Sequence, residues 1–184
     1  RVDLVVMSSL SLAPMIKQAS DTMPVVMCGG SADALVRGGL IATLARPGGS
    51  VTGLTFGTGP EIDDKRLQLL KEAVPKVSRV VYLSEASSMR PPTEAARALK
   101  LTLVLVSVAA PEGLDSAFAT IRRQRVDAIL LGPGSFFYGH RLRIIDFAAR
   151  QRLPVMYWES IFPESGGLMS YGADYTDLYR RAPT

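Results

Sequence analysis

The residues of this sequence that could bind a small molecule occur in six short groups, and each group follows a run of apolar residues. The groups are Ser8 and Ser9; Gly29 and Gly30; Thr55 and Phe56; Glu85; Ser135 and Phe136; and Tyr157, Trp158 and Glu159. Hydroxyls, carboxylates and backbone amides exposed by glycine form hydrogen bonds, while aromatic rings stack on flat groups. This composition predicts non-covalent binding of a small molecule.

The sequence lacks the motifs of common nucleotide-binding and hydrolytic enzymes. The pairs Gly29-Gly30 and Gly38-Gly39 do not match the dinucleotide pattern G-x-G-x-x-G, and no glycine precedes a lysine as a phosphate-binding loop requires. Around Ser170 only the second half of the hydrolase pattern G-x-S-x-G is present. The single histidine, His140, is expected to be an ordinary residue at a helix start. We therefore predict no enzymatic activity, no bound metal and no cofactor.

Charge and apolar content limit the partners of the protein. The formal net charge of +4 comes from dispersed residues, and the densest basic group, 122–125, lies at the end of a predicted helix, where cations suit the helix dipole. Nucleic-acid binding would need basic residues on one face with interleaved aromatics. No apolar run approaches the roughly 18 residues of a membrane span. The lone Cys28 leaves no partner for an intrachain disulfide.

Strand-like and helix-like segments alternate along the whole chain. The predicted strands are 2–7, 24–28, 51–54, 79–83, 101–108, 126–131, 153–158 and 167–171. Alternation of this kind requires crossover connections, and hence parallel sheets covered by helices. In such sheets ligands bind at the carboxyl ends of the strands. The six groups of residues are therefore predicted to gather at these ends.

Three local expectations follow from the same patterns. Strand 2–7 is expected to be buried on both faces because it is continuously apolar after Asp3. A helix beginning near Asp33 is expected to continue to Ala45 and to end at Arg46-Pro47-Gly48-Gly49. The pair Asp63-Asp64 is interpreted as favourable charge at the amino-terminus of an amphipathic helix expected over 61–74.

Several candidate binding residues also have a simple structural interpretation. Helix capping alone would explain Ser8 and Ser9. Trp158 is as typical of core packing as of ligand stacking. Glu85 fits an exposed loop, and Glu159 fits the negative cap of the short helix that follows it. These alternatives remain open at the level of sequence.

Four segments of the chain together resemble one protein family. They are residues 40–55, which contain the string ARPGGSVTG, then 65–75, 166–172 and 177–181. In this order, and over nearly the whole chain, they resemble the substrate-binding proteins of ABC importers, in the family that includes tryptophan and tyrosine binders. The string ARPGGSVTG is highly specific to that family.

The resemblance implies an α/β fold with two doubly wound parallel-sheet lobes, the first type of periplasmic-binding protein. Residues 1–57 with 166–184 would form the first lobe, 58–60 the hinge connector and 61–165 the second lobe. The chain would then be a fragment that lacks N- and C-terminal parts of the fold.

The resemblance also implies a function. The protein would be the periplasmic or extracytoplasmic solute-binding component of an ABC importer, with a membrane permease as its partner. An amino acid or related compound would bind between the lobes. Ser8, Ser9 and Thr55 would contact it from one side. Ser135, Phe136 and Trp158 would contact it from the other, with the ligand's carboxylate at a helix amino-terminus. A ligand-sensing domain of the same fold, acting on a signalling partner, is the alternative.

Two segments depart from the family pattern. Residues 31–35 read SADAL where the family usually has an Asp-Pro-Val segment, and residues 84–92 are shorter than the usual Asn-Pro loop and its lead into the next helix. Both segments are expected to line the cleft, so the resemblance does not identify the ligand.

Overall fold

The chain divides into two units, each with its own parallel sheet. The computed structural model describes residues 2–7, 15–16, 18, 22–29, 32–55, 61–85, 90–108 and 112–181. The first unit comprises Arg1–Gly59 and Ala173–Thr184, and the second comprises Pro60–Gly172. The predicted class, an α/β protein with parallel sheets, is confirmed. In the described part of the chain no helix is long and apolar enough to cross a membrane.

The sheet of the first unit consists of β1 (Val5–Met7), β2 (Val25–Cys28) and β3 (Val51–Leu54), in that order. The pairing is parallel, with Val25 opposite both Val5 and Val51. One face carries the core: Met7, Val25, Met27, Leu35, Leu40, Ile41 and Val51. The expectation that strand 2–7 is buried on both faces is wrong, because Val6 points to the opposite face and is exposed.

Helix α1 (Ala32–Arg37) ends well before Ala45, so the predicted longer helix is also wrong. Its end is a Schellman motif, in which Leu40 N donates to Leu35 O and Gly39 N donates to Val36 O, both at 3.0 Å. Gly39 has φ +64°, a left-handed conformation that glycine adopts without a steric penalty. The apolar pair Leu35 and Leu40 then packs in the core. The cap at Gly39 therefore ends the helix before the proline is reached.

The segment Arg46-Pro47-Gly48-Gly49 forms a short closed loop that leads into β3. Ala42 N donates to Pro47 O at 2.9 Å, and Arg46 N donates to the Thr43 hydroxyl at 3.0 Å. The loop enters β3 at its amino end, opposite to the end where ligands bind in parallel sheets. The segment 46–49 is therefore a structural corner.

The sheet of the second unit has five parallel strands in the order β5-β4-β6-β7-β8. They are β4 (Arg79–Glu85), β5 (Thr102–Val108), β6 (Ala128–Leu131), β7 (Val155–Tyr157) and β8 (Met169–Ser170). The helices are α2 (Glu61–Ala73), α3 (Thr93–Ala98), α4 (Gly113–Gln124), α5 (Ser135–Gly139), α6 (Arg141–Gln151) and α7 (Ile161–Glu164), and α8 (Tyr175–Arg181) belongs to the first unit.

The position of β8 corrects the predicted boundary. The predicted first lobe includes residues 166–172, but Met169 pairs with Met156 and Ser170 with Tyr157 in the five-stranded sheet. A strand of two residues carries no signal in its sequence for the sheet that it joins. Its ladder hydrogen bonds to β7 place it in the second unit.

The second unit buries apolar residues on both faces of its sheet. One face packs against α2 and α3 through Leu67, Leu70, Val77, Val80, Tyr82, Ala96, Leu101, Ala128, Leu130 and Met156. Alternation along the strands directs Val81 and Ile129 to the other face, where they are fully buried. Helices α4 and α6 meet through the rings of Phe118 and Phe147, which stack with centroids 4.0 Å apart. Close packing on both faces makes the carboxyl ends of the strands a rigid platform.

Asp127 ties the amino ends of β4 and β6 together. Its Oδ2 accepts hydrogen bonds from Ser78 N at 2.9 Å, Ser78 Oγ at 2.8 Å and Arg79 N at 2.8 Å. These hydrogen bonds stabilise the ionised form and lower the pKa of the Asp127 carboxyl below its usual value of 3.8.

We predict that Asp127→Asn lowers the unfolding free energy of the second unit by about 1 kcal/mol at pH 7. Because folding lowers this pKa, the stabilisation is present above the usual pKa of 3.8 and disappears as the pH falls through the lowered value. Urea unfolding at several pH values, followed by the fluorescence of the single tryptophan Trp158, measures the difference between the two proteins. A difference that stays constant down to strongly acidic pH contradicts the prediction.

Three basic residues follow helices of the second unit in a left-handed conformation. They are Lys100 with φ 56°, Arg125 with φ 47° and Arg152 with φ 53°. After α6, Leu153 N donates to Ala148 O at 3.0 Å and Arg152 N to Ala149 O at 3.1 Å, the same Schellman pattern as at Gly39. A side chain in this conformation costs energy that glycine avoids.

We predict that Arg152→Gly raises the unfolding free energy by about 0.5–1 kcal/mol, because it removes this strain. The matched control is Ala149→Gly in the last turn of α6, which should lower stability by about 1 kcal/mol. Urea titration of both variants gives the two values. Equal destabilisation by the two glycines would show that the conformation of Arg152 is not strained.

Candidate ligand-binding site

In the first unit two predicted binding residues lie together at the carboxyl edge of the sheet. Gly29 N donates to Leu54 O at 2.9 Å, which places Gly29 at the end of β2 beside Thr55, the residue after β3. Thr55 is half-buried. Ser8, Ser9, Gly30 and Phe56 lie outside the described residues.

In the second unit the candidate residues come from three neighbouring strands. The order β4-β6-β7 brings together Glu85 at the end of β4, Ser135 and Phe136 after β6, and the residues after β7. The carboxylate of Glu85 accepts a hydrogen bond from Phe136 N at 2.7 Å. Glu85 thus caps the amino-terminus of α5, although the two residues are 51 positions apart.

Four aromatic rings near the carboxyl ends of β6 and β7 form a buried cluster. Tyr157 stacks on Phe162 with centroids 4.6 Å apart, and Trp158 meets Phe162 edge-on at 4.5 Å and Phe137 at 6.4 Å. Tyr157 is 1% exposed and Trp158 is 3% exposed. Burial also raises the pKa of the Tyr157 phenol, which keeps it neutral. The geometry therefore favours the packing interpretation of Trp158, and places Tyr157 in the core with it.

Among the candidate residues after β6 and β7, Phe136 and Glu159 are more accessible than Tyr157 and Trp158. Phe136 is half-buried, whereas the adjacent Phe137 is fully buried, as expected for neighbouring rings of which one faces outward. The Phe136 ring lies 4.5 Å from the His140 ring and 5.5 Å from the Phe137 ring. Glu159 is half-buried, and its carbonyl accepts a hydrogen bond from Phe162 N at 3.4 Å.

A buried ion pair lies on α2, at the amino end of that helix. Arg66 Nη1 donates to Asp63 Oδ1 at 2.7 Å, and both side chains are almost fully buried. Arg66 Nε donates to the carbonyl of Tyr171 at 2.6 Å, and Nη2 donates to that of Trp158 at 3.4 Å. The guanidinium therefore joins α2 to the chain just after β7 and β8.

Tyr82 completes this network from the middle of β4. Its hydroxyl donates to the second oxygen of Asp63 at 2.8 Å. Burial raises the pKa of the Tyr82 phenol, and the neighbouring Asp63 carboxylate raises it further. Tyr82 consequently remains a hydrogen-bond donor, and both oxygens of Asp63 have partners.

The buried pairing of Asp63 and Arg66 was not predicted from the sequence. The pattern predicts Asp63 as a favourable charge at a helix terminus, but the residue is fully buried. A usable signal was present, since Arg66 falls among apolar residues on one face of the 61–74 helix and Asp63 lies three positions before it. Charged residues of opposite sign at this spacing meet on one helix face.

We predict that Arg66→Met lowers the unfolding free energy of the second unit by about 3–5 kcal/mol, because it leaves the Asp63 carboxylate buried without its cation. The matched control is Arg97→Met. Arg97 forms an exposed ion pair with Glu94 at 3.0 Å and the same spacing, and its loss should cost less than about 1 kcal/mol. Urea unfolding reports both values, and equal costs would refute the structural role of Arg66.

The described residues offer hydrogen bonds, a carboxylate and aromatic surface, but no clustered metal ligands. No group of three or more histidine, cysteine or acidic side chains is suitably placed in the described ranges. Such an arrangement can bind a small molecule.

Comparison with known proteins identifies the family of the chain. The sequence profile of the family described as ABC transporter substrate binding protein matches residues 1–183. The chain belongs to this family. A search of curated proteins found no match.

Three solved structures share the fold. One is an ABC domain in complex with L-Trp from Streptococcus pneumoniae, 23% identical, with a TM-score of 0.81 over 98% of this chain and 61% of that chain. A conserved domain protein from Vibrio cholerae is 22% identical, with a TM-score of 0.85 over 99% of this chain and 62% of that one. A ligand-free, open substrate-binding protein with adhesive properties from Clostridium difficile is 22% identical, with a TM-score of 0.65 over 98% and 61%. The chain therefore spans 61–62% of each of these proteins.

Proposed function

We propose that the protein binds an amino acid or a related small molecule as the solute-binding component of an ABC importer. The observation that carries the proposal is the family match over residues 1–183. A membrane permease is the proposed partner, and the periplasm or another extracytoplasmic space is the proposed location. The proposed role is binding and delivery, without a catalytic step.

The proposed ligand site uses the carboxyl edges of both sheets. In the first lobe it comprises Gly29 and Thr55, together with the predicted residues Ser8, Ser9, Gly30 and Phe56. In the second lobe it comprises Glu85, Ser135, Phe136 and Glu159. Tyr157 and Trp158 are proposed to support this edge through their buried rings. Contacts from both lobes would favour a closed state, because the ligand binds that state more tightly than an open one.

Aromatic amino acids are the first ligands to test. The half-buried ring of Phe136 offers apolar surface at the edge of the second sheet. A structurally similar protein from Streptococcus pneumoniae was solved in complex with L-Trp. Both observations favour a ligand with a flat apolar group.

We expect a thermal-shift screen of the full-length protein against the common amino acids to show a selective increase in melting temperature. A ligand at about a hundredfold excess over its Kd stabilises the folded state by about 2.7 kcal/mol. Isothermal titration of each hit measures its affinity, and native mass spectrometry of protein purified without added ligand detects a compound carried from the cell.

A matched pair of variants distinguishes the loss of a ligand contact from a general loss of stability. Thr55→Val removes one hydroxyl at the carboxyl edge of the first sheet, whereas Thr102→Val removes one from an exposed position at the start of β5. Thr55→Val should weaken the binding of a hit, and Thr102→Val should not. Equal affinities for all three proteins would exclude Thr55 from the site, and a flat screen would contradict the amino-acid assignment.

A further inference from the structure

The strand β5 lies at one end of the five-stranded sheet, and its outer side has no neighbouring strand in the described part of the chain. The strand at the opposite end, β8, is only two residues long, and shortness is one way in which proteins prevent a sheet edge from pairing with another chain. In contrast, β5 has seven residues, none of which is charged, proline or glycine. It therefore lacks the usual features that protect an edge.

The pairing of β5 with β4 determines which backbone groups of β5 point outward. Thr102 N donates to Ser78 O at 2.8 Å, and the two strands are parallel. In a parallel pair every second residue directs both its N–H and its C=O to the neighbouring strand. Because Thr102 bonds to β4, the residues that direct these groups outward are Leu103, Leu105 and Ser107.

These outward groups are symmetric about Leu105. In an antiparallel pair, hydrogen-bonded residues lie directly opposite each other and exchange both bonds. A second copy of β5, related by a twofold axis at Leu105, would place Leu105 opposite Leu105 and Leu103 opposite Ser107. Every outward N–H and C=O of these residues would then have a partner. The Leu105 side chain is 58% exposed, and it would pack against its counterpart across the axis.

The charges at the two ends of β5 also favour an antiparallel arrangement. Lys100 precedes the strand and Glu112 follows it, and both are exposed. Neither belongs to an ion pair among the described residues of the second unit. An antiparallel copy brings the lysine end of one strand to the glutamate end of the other, whereas a parallel copy would bring like charges together.

We propose that the protein forms a twofold-symmetric dimer in which β5 pairs antiparallel with β5 of a second copy. The two five-stranded sheets would then form one continuous sheet. Because the twofold axis uses the open edge of both copies, the assembly closes at two chains. The inference goes beyond the proposed function and does not depend on the identity of the ligand.

Sedimentation velocity of the full-length protein over a concentration series tests the proposal. The wild-type protein should change from monomer to dimer as its concentration rises, with no larger species. Leu105→Lys places two like charges opposite each other at the axis, so it should raise the dissociation constant of the dimer by about tenfold or more. The matched control is Leu142→Lys on α6, where the leucine is 62% exposed, and it should leave the dissociation constant unchanged.

Oxidative crosslinking tests the register of the two strands. Opposite residues of a hydrogen-bonded antiparallel pair have Cα atoms about 5.5 Å apart, a distance that a disulfide can span. Leu105→Cys should therefore form a disulfide-linked dimer under mild oxidation, whereas Leu142→Cys should not. The natural Cys28 is buried, so the wild-type protein should not crosslink.

Three results would overturn the proposal. The first is a wild-type protein that stays monomeric up to a concentration of about 1 mM, at which even a weak dimer would form. The second is a dimer that Leu105→Lys does not weaken, because such a dimer would use another surface. The third is equal crosslinking of the two cysteine variants, or no crosslinking of Leu105→Cys. If Leu105→Lys does not fold, the crosslinking of Leu105→Cys decides.

Discussion

The buried ion pair of Asp63 and Arg66 is the interaction on which the second unit depends most. Two charges removed from water are stable only when their remaining donors and acceptors are satisfied. Here Tyr82 satisfies the carboxylate, and the carbonyls of Trp158 and Tyr171 satisfy the guanidinium. The amino end of α2, the middle of β4 and the exits of β7 and β8 therefore have to be in place together. In sequence, Asp63 and Tyr171 lie close to the two ends of the second unit, which begins at Pro60 and ends at Gly172.

The candidate site obeys the same rule, that polar groups of the protein need hydrogen-bond partners. A helix amino-terminus needs an acceptor for its free amides, and Glu85 from the neighbouring strand provides one. The buried rings of Phe137, Tyr157 and Trp158 hold the loops after β6 and β7 in position. Rigid packing below and a few polar groups above are the usual arrangement of a small-molecule site.

Local patterns predicted most of the elements but not their ends or their partners. The helix expected over 61–74 is observed as Glu61–Ala73, and the strand expected over 101–108 as Thr102–Val108. The helix expected to reach Ala45 ends at Arg37, because Gly39 forms a left-handed cap before the proline is reached. Asp63 is buried, because a partner only three residues away and a tyrosine from another element compensate its charge. Periodicity alone does not report such compensation.

By itself, the sequence determined the alternation of strands and helices, and with it the parallel sheets and the residues that follow each strand. Hydrophobic periodicity is a local property, so it contains this information. Only the tertiary structure decided which strands are neighbours, that Met169–Ser170 joins the five-stranded sheet, and that Glu85 reaches Phe136. It also decided that Arg66 binds the carbonyl of Tyr171, 105 residues away. These contacts join residues far apart in the chain, and they exist because buried polar groups must find partners wherever packing brings them.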